Sequence, residues 1–303
     1  MLRLDVLQEK LTVAVKKGDL WEKIFCLFLI KIGFSNEKLQ TLEIRNRKYL
    51  YIKKRYLHVI EKFSNIPSAG NGRKKIIWIL WLQGEERAPQ IVKKCIHSIR
   101  KNASGYTVRL LDENNLFNYV KLPDYIILKW KRGIISNTHF SDIVRTDLLV
   151  RHGGIWMDAT VFLTGELPNY IVDSPFFLYK RGMTRDITAI TNSWLISSDK
   201  NVRLLLCVRE MLFEYWKTEN KIREYFLWHL CMTIAIEKYS DDWKKVLWIP
   251  DVLPEIMRWN IFSTNKGHWN EVIKISNIHK LSYKINCPDE TKGTIYDHIM
   301  TED

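Results

Sequence analysis

Residues 141–163 constrain this chain more than any other stretch. Ser141 to His152 has helical spacing, Gly153-Gly154 stops it, and Ile155 to Leu163 is apolar on both sides except for one acid, Asp158. Paired glycines at that point suit a left-handed helix cap. A strand apolar on both faces belongs inside a sheet covered by helices on both sides. An aspartate there is costly unless a cation or hydrogen-bond donors meet it. Asp158 is therefore the first candidate for chemistry, and its plainer alternative is a turn or cap acid.

The flanking sequence sets this unit in an α/β frame. Ile76 to Trp81 is a continuous apolar strand closed by Gln83-Gly84, and Pro89 to Arg100 reads as a helix with Ile91, Val92, Cys95, Ile96 and Ile99 inward. Tyr106 to Leu111 is a second strand, Asp112 caps a helix over Glu113 to Tyr119, and Asp124 to Gly133 is a further short helix. Residues 134–138 read as a loop. Beyond Pro168, strands are predicted at 176–179 and 194–197 and helices at 201–216 and 223–239, with 272–284 less regular. Alternating strands and helices predict an α/β fold with a mostly parallel central sheet.

The first 70 residues differ. They mix lysines with apolar residues at helical spacing, including a stripe of Tyr49, Ile52, Tyr56, Val59, Ile60 and Phe63. Pro67 and Gly70 mark a linker. The expected division is a basic helical region over 1–70 and an α/β domain over 71–303. Of the net charge of +13, ten units fall in residues 1–75, which hold 17 Lys and Arg against 7 Asp and Glu. Such a segment suits anionic lipid, nucleic acid or an acidic substrate, or is a solvated helical face. The five cysteines are scattered without metal or disulfide spacing, which suits a reducing compartment. No signal-peptide pattern and no apolar run of about 20 residues appears. The expected location is cytoplasmic.

In open α/β sheets, ligands sit at the carboxyl ends of strands. Gln83 and Gly84 follow the first strand, and Asp158, Ala159 and Thr160 end the strand after the glycines. Asp142 and Arg145, spaced i, i+3, share one side of the helix between. They are a surface ion pair, or an acid and a guanidinium presented to a polyhydroxylated substrate.

Taken together, Lys75-Ile76-Ile77-Trp78 with Trp81-Leu82-Gln83-Gly84, then Ser141-Asp142-x-x-Arg145, then Gly153-Gly154-Ile155-Trp156-Met157-Asp158-Ala159-Thr160, resemble the bacterial capsular-polysaccharide-synthesis glycosyltransferases. These are similar to the wider retaining DXD group that includes yeast-type mannosyltransferases and clostridial glucosylating toxins. The match is good over about 74–165 and weaker toward Asn192, Tyr225 to His229 and His279-Lys280-Leu281.

The resemblance implies a GT-A nucleotide-sugar fold using a UDP-sugar and Mn2+ or Mg2+. It places Trp81, Gln83 and Gly84 at the nucleotide, Asp142 and Arg145 at the donor sugar, and Asp158 at ribose and metal, making Asp142, Arg145 and Asp158 the catalytic candidates. Asn192 and Lys280 join the donor-binding set, and Asp158, Thr160 and His279 are the candidate metal ligands. Thr160 departs from the pattern, because a neutral hydroxyl stands where a second acid is expected. His229 is expected to be packed among aromatics. The implied reaction is retaining hexose transfer, with galactose from UDP-galactose the favoured donor and a lipid-linked oligosaccharide as acceptor. The enzyme would sit peripherally on the inner face of the cell membrane, an anionic surface held by the basic N-terminus. A toxin-like transferase acting on protein and a basic nucleic-acid-binding protein are the rivals; the tryptophans lie in apolar runs and no nucleic-acid motif is present.

Overall fold

The computed structural model describes residues 20–33, 36–66, 72, 75–182, 186–264 and 268–301. Readings that fall on residues 1–19, on Pro67 and Gly70 of the linker, or on Arg73-Lys74 lie outside them.

A five-stranded sheet, in the order β2-β1-β3-β6-β5, organises the described residues. Its strands are β1 (Ile76–Leu80), β2 (Thr107–Leu111), β3 (Gly154–Met157), β5 (Phe176–Lys180) and β6 (Thr191–Ser198). Strands β2, β1 and β3 run parallel, and β6 and β5 are antiparallel to their neighbours. The fold is α/β as expected, with a parallel centre and an antiparallel flank. Two shorter strands, β4 (Val161–Leu163) and β7 (Ile278–Lys280), pair antiparallel as a separate ribbon.

Both faces of β1, β3 and β5 are buried, which is why these strands read as continuous apolar runs, while the edge strand β2 exposes Thr107 and Arg109. In β1, Ile76, Trp78 and Leu80 enter one core and Ile77 and Ile79 the other; in β5, Phe176 and Leu178 alternate with Phe177 and Tyr179 in the same way. The first core is closed by α5 (Asp124–Lys131), α6 (Asn137–His152), α8 (Arg203–Thr218) and α9 (Leu227–Lys238). The second is closed by α4 (Gln90–Asn102), the β4/β7 ribbon, α11 (Val252–Trp259), α12 (His268–Ile275) and α13 (Ile295–Thr301). Smaller helices are α7 (Asn169–Val172) and α10 (Ser240–Lys244).

Some local expectations change. The helix expected over 113–119 is a single tight turn at Leu116–Asn118, because Asp112 spends its carboxylate on the Asn114 and Asn115 amides 2.9 and 3.0 Å away and closes a turn there. Helix α6 starts earlier than expected, inside the 134–138 loop, where the Ser136 hydroxyl caps the His139 amide at 3.4 Å. Residues 272–284 hold the end of α12 and all of β7.

The N-terminal helices are α1 (Leu20–Lys31), α2 (Glu37–Tyr56) and α3 (His58–Glu61). The predicted stripe is real: Tyr49, Ile52, Tyr56, Ile60 and Phe63 are buried, and Val59 packs against them. Its partner is the first core itself, so residue 70 does not bound a separate core. Several of the basic side chains pair with acids elsewhere in the chain. Arg45 pairs with Asp186, Lys53 with Glu237 and Lys62 with Glu210. Helix α1 differs, with Trp21, Ile24, Phe25 and Phe28 exposed, as is Ile32 just past its end.

Candidate functional site

An open cleft of about 370 Å³ lies at the carboxyl ends of β1 and β3. That is toward the lower end of the usual range for small-molecule sites, roughly 300–1,000 Å³. Trp81 and Gln83 line it from the end of β1, Asn137, Thr138, Ser141 and Arg145 from α6, Trp156, Asp158, Ala159 and Thr160 from β3 and its turn, and Tyr283 from beyond β7. Asp158 is the one acid among these lining residues.

Helix α6 and strand β3 meet at the glycine pair. The Gly153 amide closes the helix on the Leu149 carbonyl at 2.9 Å, and Gly154 has φ of 100°. A Cβ on Gly154 would lie 2.6 Å from the Ile76 carbonyl oxygen of β1. The glycine thus lets β3 start hard against β1, which brings Asp158 to the same end of the sheet as Trp81.

Asp158 is held from several directions. Its amide donates to the Trp194 carbonyl at 2.8 Å, and its carbonyl accepts from Val161 at 2.9 Å, closing a turn. Carboxylate Oδ1 accepts from the Trp156 indole at 3.0 Å and lies 3.4 Å from Arg145 Nη2. Oδ2 lies 3.6 Å from Lys280 Nζ. The cost of an acid in an apolar run is met by two cations and an indole.

Arg145 is itself fixed. It donates to the Ser193 carbonyl at 2.6 Å, contacts Ser141 and sits over the Trp156 ring at 5.0 Å. Nη2 is also 3.3 Å from Asp142 Oδ1. Asp142 is absent from the cleft lining and stands behind Arg145, with His139 Nδ1 3.6 Å from its other oxygen. Burial would push the Asp142 carboxyl up, but Arg145 and His139 outweigh it and hold it below the usual carboxylate range. The expected donor-sugar pair therefore divides: Arg145 faces the cleft and Asp142 orients Arg145.

Other expected residues also sort by position. Gly84, with φ of 80°, donates its amide to the Trp81 carbonyl at 2.9 Å and shapes the turn that presents Gln83. It does not line the cleft. Asn192 lies outside the lining and donates to Asp251 Oδ2 at 2.6 Å. Lys280 lies just behind the wall, and its ammonium donates to the Thr160 hydroxyl and to the Leu281 carbonyl at 3.3 Å. The register that pairs Val161 with Lys280 explains this meeting.

His279 is not brought to the cleft. Being the neighbour of Lys280 on β7, it points to the opposite side of the ribbon. It is fully buried there, with Nε2 3.0 Å from the Thr164 hydroxyl, and burial depresses its pKa to about 4. Among the described residues, no group of three or more His, Cys, Asp or Glu side chains could hold a metal ion. The residues at Asp158 do not fit the divalent ion that the sequence resemblance implies. One carboxylate is already engaged by Arg145 and Lys280, and the hydroxyl of Thr160 accepts from an ammonium.

Sequence reasoning did not find Asn137, Thr138, Ser141 and Tyr283. Ser141 carries a signal, lying one turn before Arg145 on the same helix face. Tyr283 packs edge-on to Trp81 with centroids 5.4 Å apart, a contact across distant chain segments.

A cleft at the carboxyl ends of parallel strands, walled by tryptophans and a cation-bound acid, defines a ligand-binding α/β protein. The chain belongs to the capsular polysaccharide synthesis protein family, whose profile matches residues 30–299. It is 33% identical over 98 residues to the O-glycosyltransferase braB of Annulohypoxylon truncatum, covering 29% of this chain and 23% of that protein. It is 26% identical over 96 residues to the glycosyltransferase afumC of Aspergillus fumigatus, covering 29% of this chain and 25% of that protein. The chain thus spans about a quarter of the length of these curated relatives. Among solved structures, the PaToxG glycosyltransferase aligns with a TM-score of 0.40 at 16% identity, over 64% of this chain and 80% of that one. The apo form of the glycosyltransferase GlyE of Streptococcus pneumoniae aligns with a TM-score of 0.41 at 10% identity, over 77% and 61%.

Proposed function

We propose that this chain is a nucleotide-sugar-dependent glycosyltransferase of surface-polysaccharide synthesis, moving a hexose from a UDP-sugar, with UDP-galactose the favoured donor, to a lipid-linked oligosaccharide. The observation that carries the reading is Asp158, the one cleft-lining acid, fixed at a strand's carboxyl end between Arg145 and Lys280. Family membership and the two fungal relatives named as glycosyltransferases support it.

In this reading the walls of Trp81, Tyr283 and Gln83 take the base and ribose by stacking and hydrogen bonding. Asp158, 28% exposed at its side chain, accepts a donor hydroxyl. Arg145 and Lys280 face the charge that grows on the diphosphate as the bond to the sugar's anomeric carbon breaks. The acceptor hydroxyl forms the new bond on the same face, and its proton passes to the departing phosphate oxygen, so configuration is retained. A double displacement needs a second carboxylate beside the anomeric carbon. The nearest acid to Asp158 on α6, Asp142, is buried against Arg145 and His139 instead.

The lipid-linked acceptor brings the enzyme to a membrane. Among the described residues no helix is long and apolar enough to cross one. Helix α1 offers surface attachment: Trp21, Phe25 and Phe28 are 81%, 54% and 55% exposed and recur at helical spacing ahead of Lys31. Aromatic side chains backed by lysines lie in the interface of anionic bilayers.

A panel of UDP- and GDP-sugars assayed for nucleotide release tests the reading. A UDP-hexose is expected to give the fastest release. Asp158→Asn is expected to slow it by about two orders of magnitude or more while keeping the circular dichroism spectrum. Absence of release from every donor, in the presence of lipid-linked acceptor, would sink the proposal.

A further inference from the structure

We infer that the Lys280 ammonium, together with Arg145, takes the place of the divalent cation at this site, so that the nucleoside diphosphate is held and released without metal. The inference rests on the glycosyltransferase reading and deepens it.

Three observations meet at one point. Thr160 stands where a metal site would need its second carboxylate, and its hydroxyl already accepts from Lys280. Lys280 Nζ is also 3.6 Å from Asp158 Oδ2, on the side of the carboxylate that Arg145 leaves free. His279, the other nitrogen ligand the chain might offer, is turned into the ribbon and bonded to Thr164. The position between Asp158 and Thr160 is thus filled by a covalently attached positive charge.

The charges at the site balance, Arg145 and Lys280 against Asp142 and Asp158, and it is the placement of Lys280 that suits an anion. Arg145 faces two carboxylates, Asp142 and Asp158. Lys280 shares Asp158 with Arg145, and its other partners, the Thr160 hydroxyl and the Leu281 carbonyl, are neutral. Its charge is only partly met, and its side chain, just behind the cleft wall, is 18% exposed. An ammonium has three donors and a flexible stem, so it can keep one bond to Thr160 and turn another to a phosphate oxygen. An acid at position 160 would neutralise that lysine and recreate a divalent-cation site. Threonine anchors Lys280 without cancelling it.

In the transfer step, the bond between the anomeric carbon and the diphosphate oxygen breaks with its electron pair going to the diphosphate. The acceptor oxygen forms the new bond, and its proton goes to the diphosphate. Lys280 and Arg145 balance the charge that arrives on the leaving group.

Calorimetric titration of the full chain with UDP, in EDTA and in manganese, decides the matter. Equal affinity in the two buffers is expected. Lys280→Met is expected to lose about tenfold or more in UDP affinity, the worth of one charge-assisted hydrogen bond, with Lys280→Arg recovering most of it. Added manganese is expected to restore nothing to Lys280→Met. UDP binding that appears only with manganese would overturn the metal-free site and leave the transferase reading standing. Wild-type affinity in a folded Lys280→Met would overturn the role of the lysine. Failure to bind UDP in either buffer would remove the donor assignment and this inference together. The EDTA comparison uses the unaltered chain, so it holds even if Lys280→Met does not fold.

Discussion

At the scale of single residues, the polar cluster behind the cleft ties stability to pH. His229 on α9 is half-buried, its ring in edge contact with Phe226 and Trp228, and its buried Nδ1 has no hydrogen-bond partner among the described residues. Burial lowers its pKa to about 4; Asp142 opposes the shift, while the positive charges of Arg145, Arg181 and Arg45 reinforce it. In the unfolded chain the same imidazole protonates near the ordinary value of about 6.5. Between these values the unfolded state binds a proton that the native state refuses. Stability from this group is therefore complete above about pH 6.5 and declines as pH falls toward 4. Asp142 acts in the same sense at lower pH: its depressed carboxyl stabilises the fold above the carboxylate range and stops doing so as pH falls through it. Thermal melts are expected to fall steadily from pH 6.5 to 4. His229→Phe should flatten that slope in part, with the fully buried His279 still contributing because burial lowers its pKa to about 4 as well. An unchanged slope would remove His229 from the account.

At the scale of elements, the helix–glycine–strand unit of α6 and β3 shows which features a sequence exposes and which it hides. Its order was readable because the information is local: apolar spacing, a glycine stop and one misplaced acid. Local information also carried Trp81, Gln83, Arg145, Asp158 and Thr160 to one cleft. It did not separate Asp142 from Arg145, because an i, i+3 spacing says that two side chains share a face and not which of them is outermost. It could not orient His279 and Lys280 either. In a three-residue strand the inward position is set by pairing with β4, more than a hundred residues earlier, and no periodicity can develop. Asn137, Thr138 and Tyr283 were hidden for the same reason, being polar or aromatic residues whose neighbours come from distant segments. The glycine pair gives the sharpest test of the element itself. Gly154 combines φ of 100° with a Cβ position 2.6 Å from a β1 carbonyl. Gly154→Ala must strain the backbone and push β3 off β1, at a cost of about 2–4 kcal/mol. Urea denaturation is expected to show that loss. Gly105→Ala, at a glycine of similar φ with nothing within 4 Å of the added Cβ, should lose less. Equal losses at the two positions would mean that close strand approach does not matter.

At the scale of the whole molecule, the N-terminal helices are of two kinds that composition had merged, α2 and α3 packed into a core and α1 with exposed apolar side chains. The sequence marks one basic helical region over residues 1–70, with a membrane-surface contact as what the family resemblance implies. Instead α2 and α3 are structural: Tyr49, Ile52, Tyr56, Ile60 and Phe63 complete the core that also holds Trp78 and Trp156 of the sheet. Burying a large apolar side chain stabilises by about 1.5–3 kcal/mol. Five of them together rival the roughly 5–15 kcal/mol that a domain has in total. Removing residues 1–65 should therefore leave a chain that does not fold, and loss of liposome binding by such a truncation would say nothing about membranes. Removing residues 1–33 is the informative cut. It takes away Trp21, Phe25, Phe28 and Lys31, yet leaves Asn36, whose side chain caps the Leu39 amide at 3.0 Å, to begin α2. This shorter truncation is expected to keep the melting temperature within a few degrees, since exposed residues contribute little to stability. It is also expected to lose most of its sedimentation with phosphatidylglycerol-rich vesicles, while UDP binding is unaffected. Full vesicle binding after the cut would move the membrane contact elsewhere, and a collapse in melting temperature would show that α1 packs on the core after all.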